Sequence, residues 1–510
     1  CVPAIGQQVA DGDVVFGEAG TGADNGLRQT TISGSFDPYS QQTAPADLLS
    51  SGTPSDGYNT LSEDPVYRDS FQQSPADAPI VVESNFDEEG NRRVRATEQV
   101  GIIGPDGTVT TRVNSPVLAI EGVRRNPDID PYAPIGFRLG TFTFLPELTQ
   151  SIGTTSNADF SAFGEGSEFS LTDFNLQAIS DWSRHELRGN IGGSYQAFFN
   201  ERSNDLPVLD ADVQLRLDHS YDITSRIGLS YELVSESALS DNLSLPPPLF
   251  VIDRPNVDRL AGFADIEKQA GRLNASLRGT VTMTRYEDAT VNDGSTLSQS
   301  DRDNTLYALR GRLGYETSRA LQPFIQASVG MREHEEQIDR NGNARDSQVY
   351  ALQAGLNFDR GEKLNGEIAI GYSSEEFEDA ALNDLAGFTV DGVINWSPHR
   401  GTTFSAIAQT AFSPSTIVDE AGSVTYAGIL QVQRDVRPNL SLNARVLASI
   451  RDYDQSARED QLLQGQIGAE WRLNRTFSLV ASVGHETQES TDIFSNYEST
   501  SAQIGLKLQR

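Results

Sequence analysis

The sequence holds one cysteine in 510 residues, at position 1, which leaves no disulfide framework and no cysteine metal site. Lysine is almost missing as well, with only Lys268, Lys363 and Lys507. No run of roughly eighteen apolar residues occurs, so a helical membrane protein is excluded. Apolar residues make up 37% and mean hydropathy is −0.40. A membrane β-barrel survives that test, because only alternate residues of its strands face lipid. Basic residues are outnumbered 39 to 72, and the net charge of −33 argues against nucleic acid as a partner. A secreted or surface protein with cation-holding loops fits the same excess of acid.

Catalytic groupings are missing too. The five histidines are His185, His219, His334, His399 and His485, and none has a Ser or Cys and a carboxylate at a spacing that suggests nucleophilic catalysis. His485 and Glu486 are adjacent, and adjacent strand residues point to opposite faces. No enzyme and no cofactor is expected. No secretory signal is present. A chain that opens on cysteine is what lipoprotein processing leaves behind, so acylation of Cys1 is the expectation.

What the chain does have, from about residue 140 onward, is long runs that alternate apolar and polar residues. Leu440, Leu442, Ala444, Val446, Ala448 and Ile450 share one face. Ser441, Asn443, Arg445, Ser449 and Arg451 share the other, with Leu447 the one apolar intruder. The split recurs in Leu364 to Ser373 and in Leu273 to Met283. Connections alternate between short turns and longer acidic loops, the layout of an outer-membrane barrel with its short turns in the periplasm. Eight short turns and about nine long loops imply an all-β fold, an antiparallel transmembrane barrel of about 18 strands spanning 132–510, with both ends periplasmic. A propeller has a similar repeat, but with four short strands in each unit.

Each short turn carries an arginine: Arg184, Arg226, Arg272, Arg319, Arg360, Arg400, Arg437 and Arg475. These can meet lipid phosphates, or simply be solvated turn residues. Residues 1–131 are acidic and rich in Pro, Ser and Gly, and read as a mostly irregular periplasmic segment. Within it, Val100 to Val113 places Pro-Asp-Gly between two β-prone runs, a hairpin that could dock beneath the barrel or plug it.

Tyr132 to Asn157 carries a resemblance. Tyr132, Pro134, Gly136, Arg138, Gly140, Phe142, Pro146 and Asn157 resemble the first-strand pattern of the β-barrel porin-2-like outer-membrane family of alphaproteobacteria. The resemblance implies an outer-membrane barrel, sometimes linked with exopolysaccharide output, and supplies no substrate. The last strand departs from common barrel habit by ending in Gln509 and Arg510 rather than an aromatic residue.

Side-chain parity points Arg188, Arg216, Arg278, Arg310, Arg312, Arg332, Arg445 and Arg451 into the lumen, together with Asp212, Asp218, Glu232, Glu367, Asp391 and Glu470. Opposed basic and acidic walls would set up a transverse field, while paired charges would stiffen the wall. Arg310 and Arg312 share one strand face and are the candidate constriction. In an external loop, Asp339, Asn341, Asn343 and Asp346 offer hard oxygen ligands for Ca²⁺, yet the glycine falls at the wrong position and no bidentate Glu follows. Acidic loops could still share Ca²⁺ or Mg²⁺ with lipopolysaccharide. The leading expectation is a channel for small hydrophilic solutes. An outlet for extracellular polysaccharide, served by periplasmic export machinery, and a structural or adhesive surface barrel are the alternatives.

Overall fold

A computed structural model describes residues 131–510, apart from short loop stretches at 163, 200–204, 237–242, 244–248, 250, 254, 418–419, 455–456 and 493–494. Before residue 131 it describes only strand backbone within 80–111. There, Ile80–Phe86 pairs antiparallel with Arg92–Glu98, and Gly101–Ile103 with Val109–Thr111. Cys1, and with it the expected acylation site, lies outside the described residues, as does most of the segment expected to plug or dock.

The alternating runs become eighteen strands. These are β1 (Phe142–Thr155), β2 (Ser167–Ser180), β3 (Glu186–Phe198), β4 (Leu206–Ser220), β5 (Ile223–Ser235) and β6 (Asn256–Ala270). Then come β7 (Leu273–Tyr286), β8 (Asn304–Tyr315), β9 (Leu321–His334), β10 (Ser347–Asp359), β11 (Leu364–Phe377) and β12 (Leu385–His399). The last six are β13 (Thr402–Pro414), β14 (Gly422–Arg437), β15 (Leu440–Tyr453), β16 (Glu459–Arg472), β17 (Phe477–Ser490) and β18 (Tyr497–Gln509). Each pairs antiparallel with its sequence neighbour. β18 returns to β1, from Ser501 opposite Thr155 to Gln509 opposite Glu147, and the sheet closes. The fold is the expected 18-stranded antiparallel barrel.

Alternation decides which way each side chain points. Leu352, Ile370 and Ile467 stand on the outer surface with 64%, 61% and 69% of their area exposed. Inward neighbours such as Gln353, Ser449 and Arg451 are buried. An apolar outside and a polar inside invert the order of a soluble protein, because lipid is the outer solvent. Tight turns keep the strands in register. Gly271 takes φ +64 at the first position of the two-residue turn between β6 and β7, a backbone conformation that favours glycine.

Six of the eight turn arginines sit in the short connections: Arg184, Arg272, Arg319, Arg360, Arg400 and Arg475. Arg437 is the last residue of β14. Arg226 corrects the sequence reading. The β4–β5 connection is only residues 221–222, so Arg226 already lies inside β5, opposite Arg216, and faces the lumen. Pairing that resumes so early turned an apparent turn residue into a wall residue.

An Ile467→Arg substitution on the lipid face should destabilise the barrel by about 2–4 kcal/mol, the cost of a cation near the bilayer midplane. Denaturant unfolding of the protein folded into lipid vesicles measures it. No loss of stability would mean that this face does not meet lipid.

Candidate functional site

The lumen wall from β3 to β11 is a chain of neighbouring opposite charges. Arg188 and Arg216 both pair with Glu186, and Arg216 also lies 3.4 Å from Asp218. Glu232 lies 3.7 Å from Arg259. Arg226 reaches both oxygens of Asp265 at 3.1 Å and Glu267 at 3.0 Å, and Arg278 shares Asp265 Oδ2 at 2.5 Å. Arg312 donates two bonds to Glu367, at 2.8 and 2.6 Å. Arg332 does the same to Glu375, at 2.8 and 3.3 Å, and donates to Asn304 as well.

The geometry of these pairs shows which way the side chains lie. Arg312 stands on β8 and Glu367 on β11, three strand spacings apart, or about 14 Å between backbones. Both side chains must lie along the wall to meet. They do not project to the barrel axis. Two inward aromatic rings hold this posture. The Phe324 ring lies over Gly355 of the adjacent strand, where a Cβ would collide with it, and the Arg312 guanidinium stacks 3.5 Å above the ring. Phe263 over Gly228 carries Arg278 in the same way, at 4.2 Å. A small residue, a flat ring and a cation build each layer.

The other residues that parity assigned to the lumen have the following partners and register neighbours. Arg310 is opposite Arg278 in register and acts electrostatically on Asp391, four strands further on. Gln353 donates to Asp391 at 2.5 Å. Glu470 lies between Arg472 and Lys507, and Lys507 reaches Glu147 at 2.9 Å. Arg445 is opposite Gln431 and Gln466. Asp212 is opposite Asn190 and Ser230. Acid and base are therefore interleaved along the sheet, with partners on the same or nearby strands. Arg226, Arg278, Arg310, Arg312, Asp265 and Asn357 line one recess in it. The parity argument missed Asp265, Glu267 and Glu375, although each shares its strand face with apolar-alternating neighbours and was open to the same reading.

Residues 130–510 match the family model described as "Putative beta-barrel porin 2". The chain belongs to this family. It is an outer-membrane β-barrel of porin type. Its trace is similar to the copper transporter OprC, at 8% identity and TM-score 0.40, covering 74% of this chain and 81% of that one. It is also similar to a BenF-like porin from Pseudomonas fluorescens, at 12% and 0.37, covering 72% and 99%. A third likeness is the siderophore receptor PirA from Acinetobacter baumannii, at 6% and 0.36, covering 72% and 80%. No curated protein matches the chain in sequence.

Two of the long loops are tied down by side-chain contacts. The loop 156–166, between β1 and β2, folds inward. Asn157 organises it: its amide donates to Ser161 O at 2.8 Å and Glu498 O at 3.2 Å, and its oxygen accepts from Ser161 N. Ala158 is buried with Phe169, Leu171, Phe198 and Leu206. Phe160 turns the other way, at φ +51, and packs edge-on to Tyr497 at 5.7 Å in one cluster with Ile407, Ile429, Leu447 and Leu462. Leu447, the intruder on its polar face, thus has an apolar partner inside the barrel. Sequence reasoning missed Phe160 altogether, since nothing local says that a loop residue will enter the lumen.

The second loop, 335–346, holds the candidate Ca²⁺ ligands, and their oxygens have other duties. Asp339 accepts from Asn341 N and Asn343 N on one oxygen and from Arg345 on the other, at 2.8 to 2.9 Å. Asp346 accepts from His334 N at 2.7 Å, and Asn341 donates to Thr416 O. The side chains of Asp339, Asn341 and Asp346, with the backbone of Asn343, brace the loop. Arg345, 1% exposed, donates to carbonyls of Ser415, Ile417 and Glu420, and Arg340 ties the loop to Asp301.

Burial works against ionised Asp301, but the Arg340 hydrogen bonds and the charges of Arg340 and Arg302 outweigh it and hold its carboxyl below the usual range. A depressed folded value means the latch contributes above the unfolded value of about 3.9 and is lost as pH falls through the folded one. A spin label at Ser298 should keep constant mobility from pH 8 to 5 and loosen only below about pH 4. The buried Arg332–Glu375 pair gives a second test. Arg332→Ala should cost about 3–5 kcal/mol, and Arg332→Met with Glu375→Leu should recover most of it, read by denaturant unfolding in vesicles.

Proposed function

We propose that the protein is a channel for small hydrophilic solutes across the outer membrane, with its short-turn end in the periplasm. One observation carries this reading: the charges on β3 to β11 are paired along the wall. Side chains tied to partners one to three strands along the same sheet line an opening without crossing it, and a barrel of about this strand number has room for water. Interleaved signs make the wall polar with little net preference, which suits weakly selective passage. The turn arginines Arg272, Arg319, Arg360 and Arg400 suit contact with lipid phosphates at the inner rim, and the acidic outer loops suit cations shared with lipopolysaccharide. A polysaccharide outlet would call for open aromatic faces on which sugars could stack. The inward rings Phe263 and Phe324 are covered by guanidinium groups, which favours the plain pore.

Single-channel recording in a planar bilayer tests the reading, on the intact chain and on a form lacking residues 1–130. Steady ohmic conductance with weak ion selectivity is the expected result. Arg310→Ala, which removes one positive charge from the recess, should shift selectivity toward cations by less than about threefold. Conductance from the truncated form alone would point to a plugged outlet and favour export. Silence from both forms would leave a structural barrel.

A further inference from the structure

The charged wall has a counterpart of different chemistry. On β13 to β16 the inward face carries a strip of Ile407, Ile429 and Leu447 at one level, in direct register, with Leu462 one level above. All four are buried, and the one member of their cluster from outside the wall (Tyr497 being on β18) is Phe160. Apolar residues pointing into a polar lumen are costly there unless something apolar covers them. Here a loop residue with a left-handed backbone does so.

Immediately above the strip lie polar groups that find no hydrogen-bond partner among the described residues. Gln409 and Ser449 stand on the next level, either side of Ala427, and are 3% and 4% exposed. Among the described residues neither end of the Gln409 amide has a hydrogen-bond partner, nor has the Ser449 hydroxyl. One level higher, Arg451 is 3% exposed, gives its Nε to Thr425 at 3.0 Å and leaves Nη2 unbonded. The acid opposite it in register, Asp460, is answered by Arg458 at 3.2 Å and by the Tyr453 hydroxyl at 2.7 Å. Among the described residues no carboxylate lies within ion-pair distance of Arg451. Buried polar groups are normally satisfied, and these three share one sheet face on two successive levels, which marks a place for a ligand.

We infer that this wall is a solute subsite for an organic monocarboxylate with an apolar, ring-sized body. Its head meets Arg451, Ser449 and Gln409, its body lies on Leu447, Leu462 and Ile429, and Phe160 holds the seat when the solute is absent. One guanidinium, one amide and one hydroxyl match a single-charge head. Leu447 and Arg451 are four residues apart, or about 13 Å along the strand, and the arginine side chain spans part of that distance. A body the length of a phenylpropyl group fills the remainder. The subsite rests on the reading of the barrel as a channel for solutes, and names the class of solute it would favour.

Equilibrium dialysis of radiolabelled 3-phenylpropionate against the full chain in detergent micelles, with protein-free micelles as blank, reads binding without needing conduction. Saturable binding is expected, with propionate and neutral 3-phenylpropanol at least tenfold weaker as competitors. Arg451→Gln should weaken binding at least tenfold, and Phe160→Ala should tighten it at least threefold, because the competing ring is gone. Circular dichroism confirms that each variant keeps its β-sheet. Conductance without saturable binding, in wild type and in Phe160→Ala alike, would overturn the subsite and leave the channel standing. Binding by a protein that never conducts would uphold the subsite and sink the channel. Binding unchanged by Arg451→Gln, or lost in Phe160→Ala, would also overturn the assignment.

Discussion

Everything in this structure depends on the pairing of β18 with β1. In hydrocarbon no water is present to satisfy a free sheet edge, and each unpaired backbone group costs several kcal/mol. A strand set that did not close would expose two such edges along their whole length. Closure through Ser501 to Gln509 removes both at once. It also makes the barrel wall a single hydrogen-bonded surface with only two faces. Every second residue must then look into a narrow polar space, whatever its chemistry.

That enforced crowding explains the lumen. Inward side chains share a limited volume, so arginines and carboxylates are pushed together and partly shielded from water. An ionised group so placed is stabilised by a partner, and the partners lie on strands one to three along the same wall. The Arg312–Glu367 and Arg332–Glu375 pairs are the outcome, both bidentate and both lying flat. Glycines such as Gly228 and Gly355 have a matching part. By omitting a side chain they admit a phenylalanine ring, and the ring gives the passing guanidinium a surface to rest on.

The strand count and the alternation were legible in the sequence, because period-two patterning is local and survives without any knowledge of neighbours. Partnership was not legible. That Arg312 meets an acid on β11 depends on how far its side chain extends across two intervening strands, and no spacing along the chain encodes that. Arg226 was misplaced for a related reason. A turn of two residues and one of five look alike when the flanking residues are polar, and the error moved an ion-pairing wall residue to the rim. Leu447 was the one visible clue to the loop. It stood out as an apolar residue on a polar face, and its explanation came from Phe160, nearly three hundred positions away.

The inward fold of the loop 156–166 is itself a consequence of closure. Ser156 N continues the β1–β18 ladder by bonding to Thr500 O, and Asn157 then bonds to Glu498 O on the same neighbouring strand. The loop leaves the wall only after it has been tied to the last strand, so its direction is set by a contact that exists only in the closed ring. Ala158 and Phe160 then fall to opposite sides of the seam, one against β2 to β4 and the other in the cluster of β13 to β16 and β18. The same interaction that seals the barrel against lipid thus also chooses which part of the lumen is apolar and covered, and which part stays charged and open.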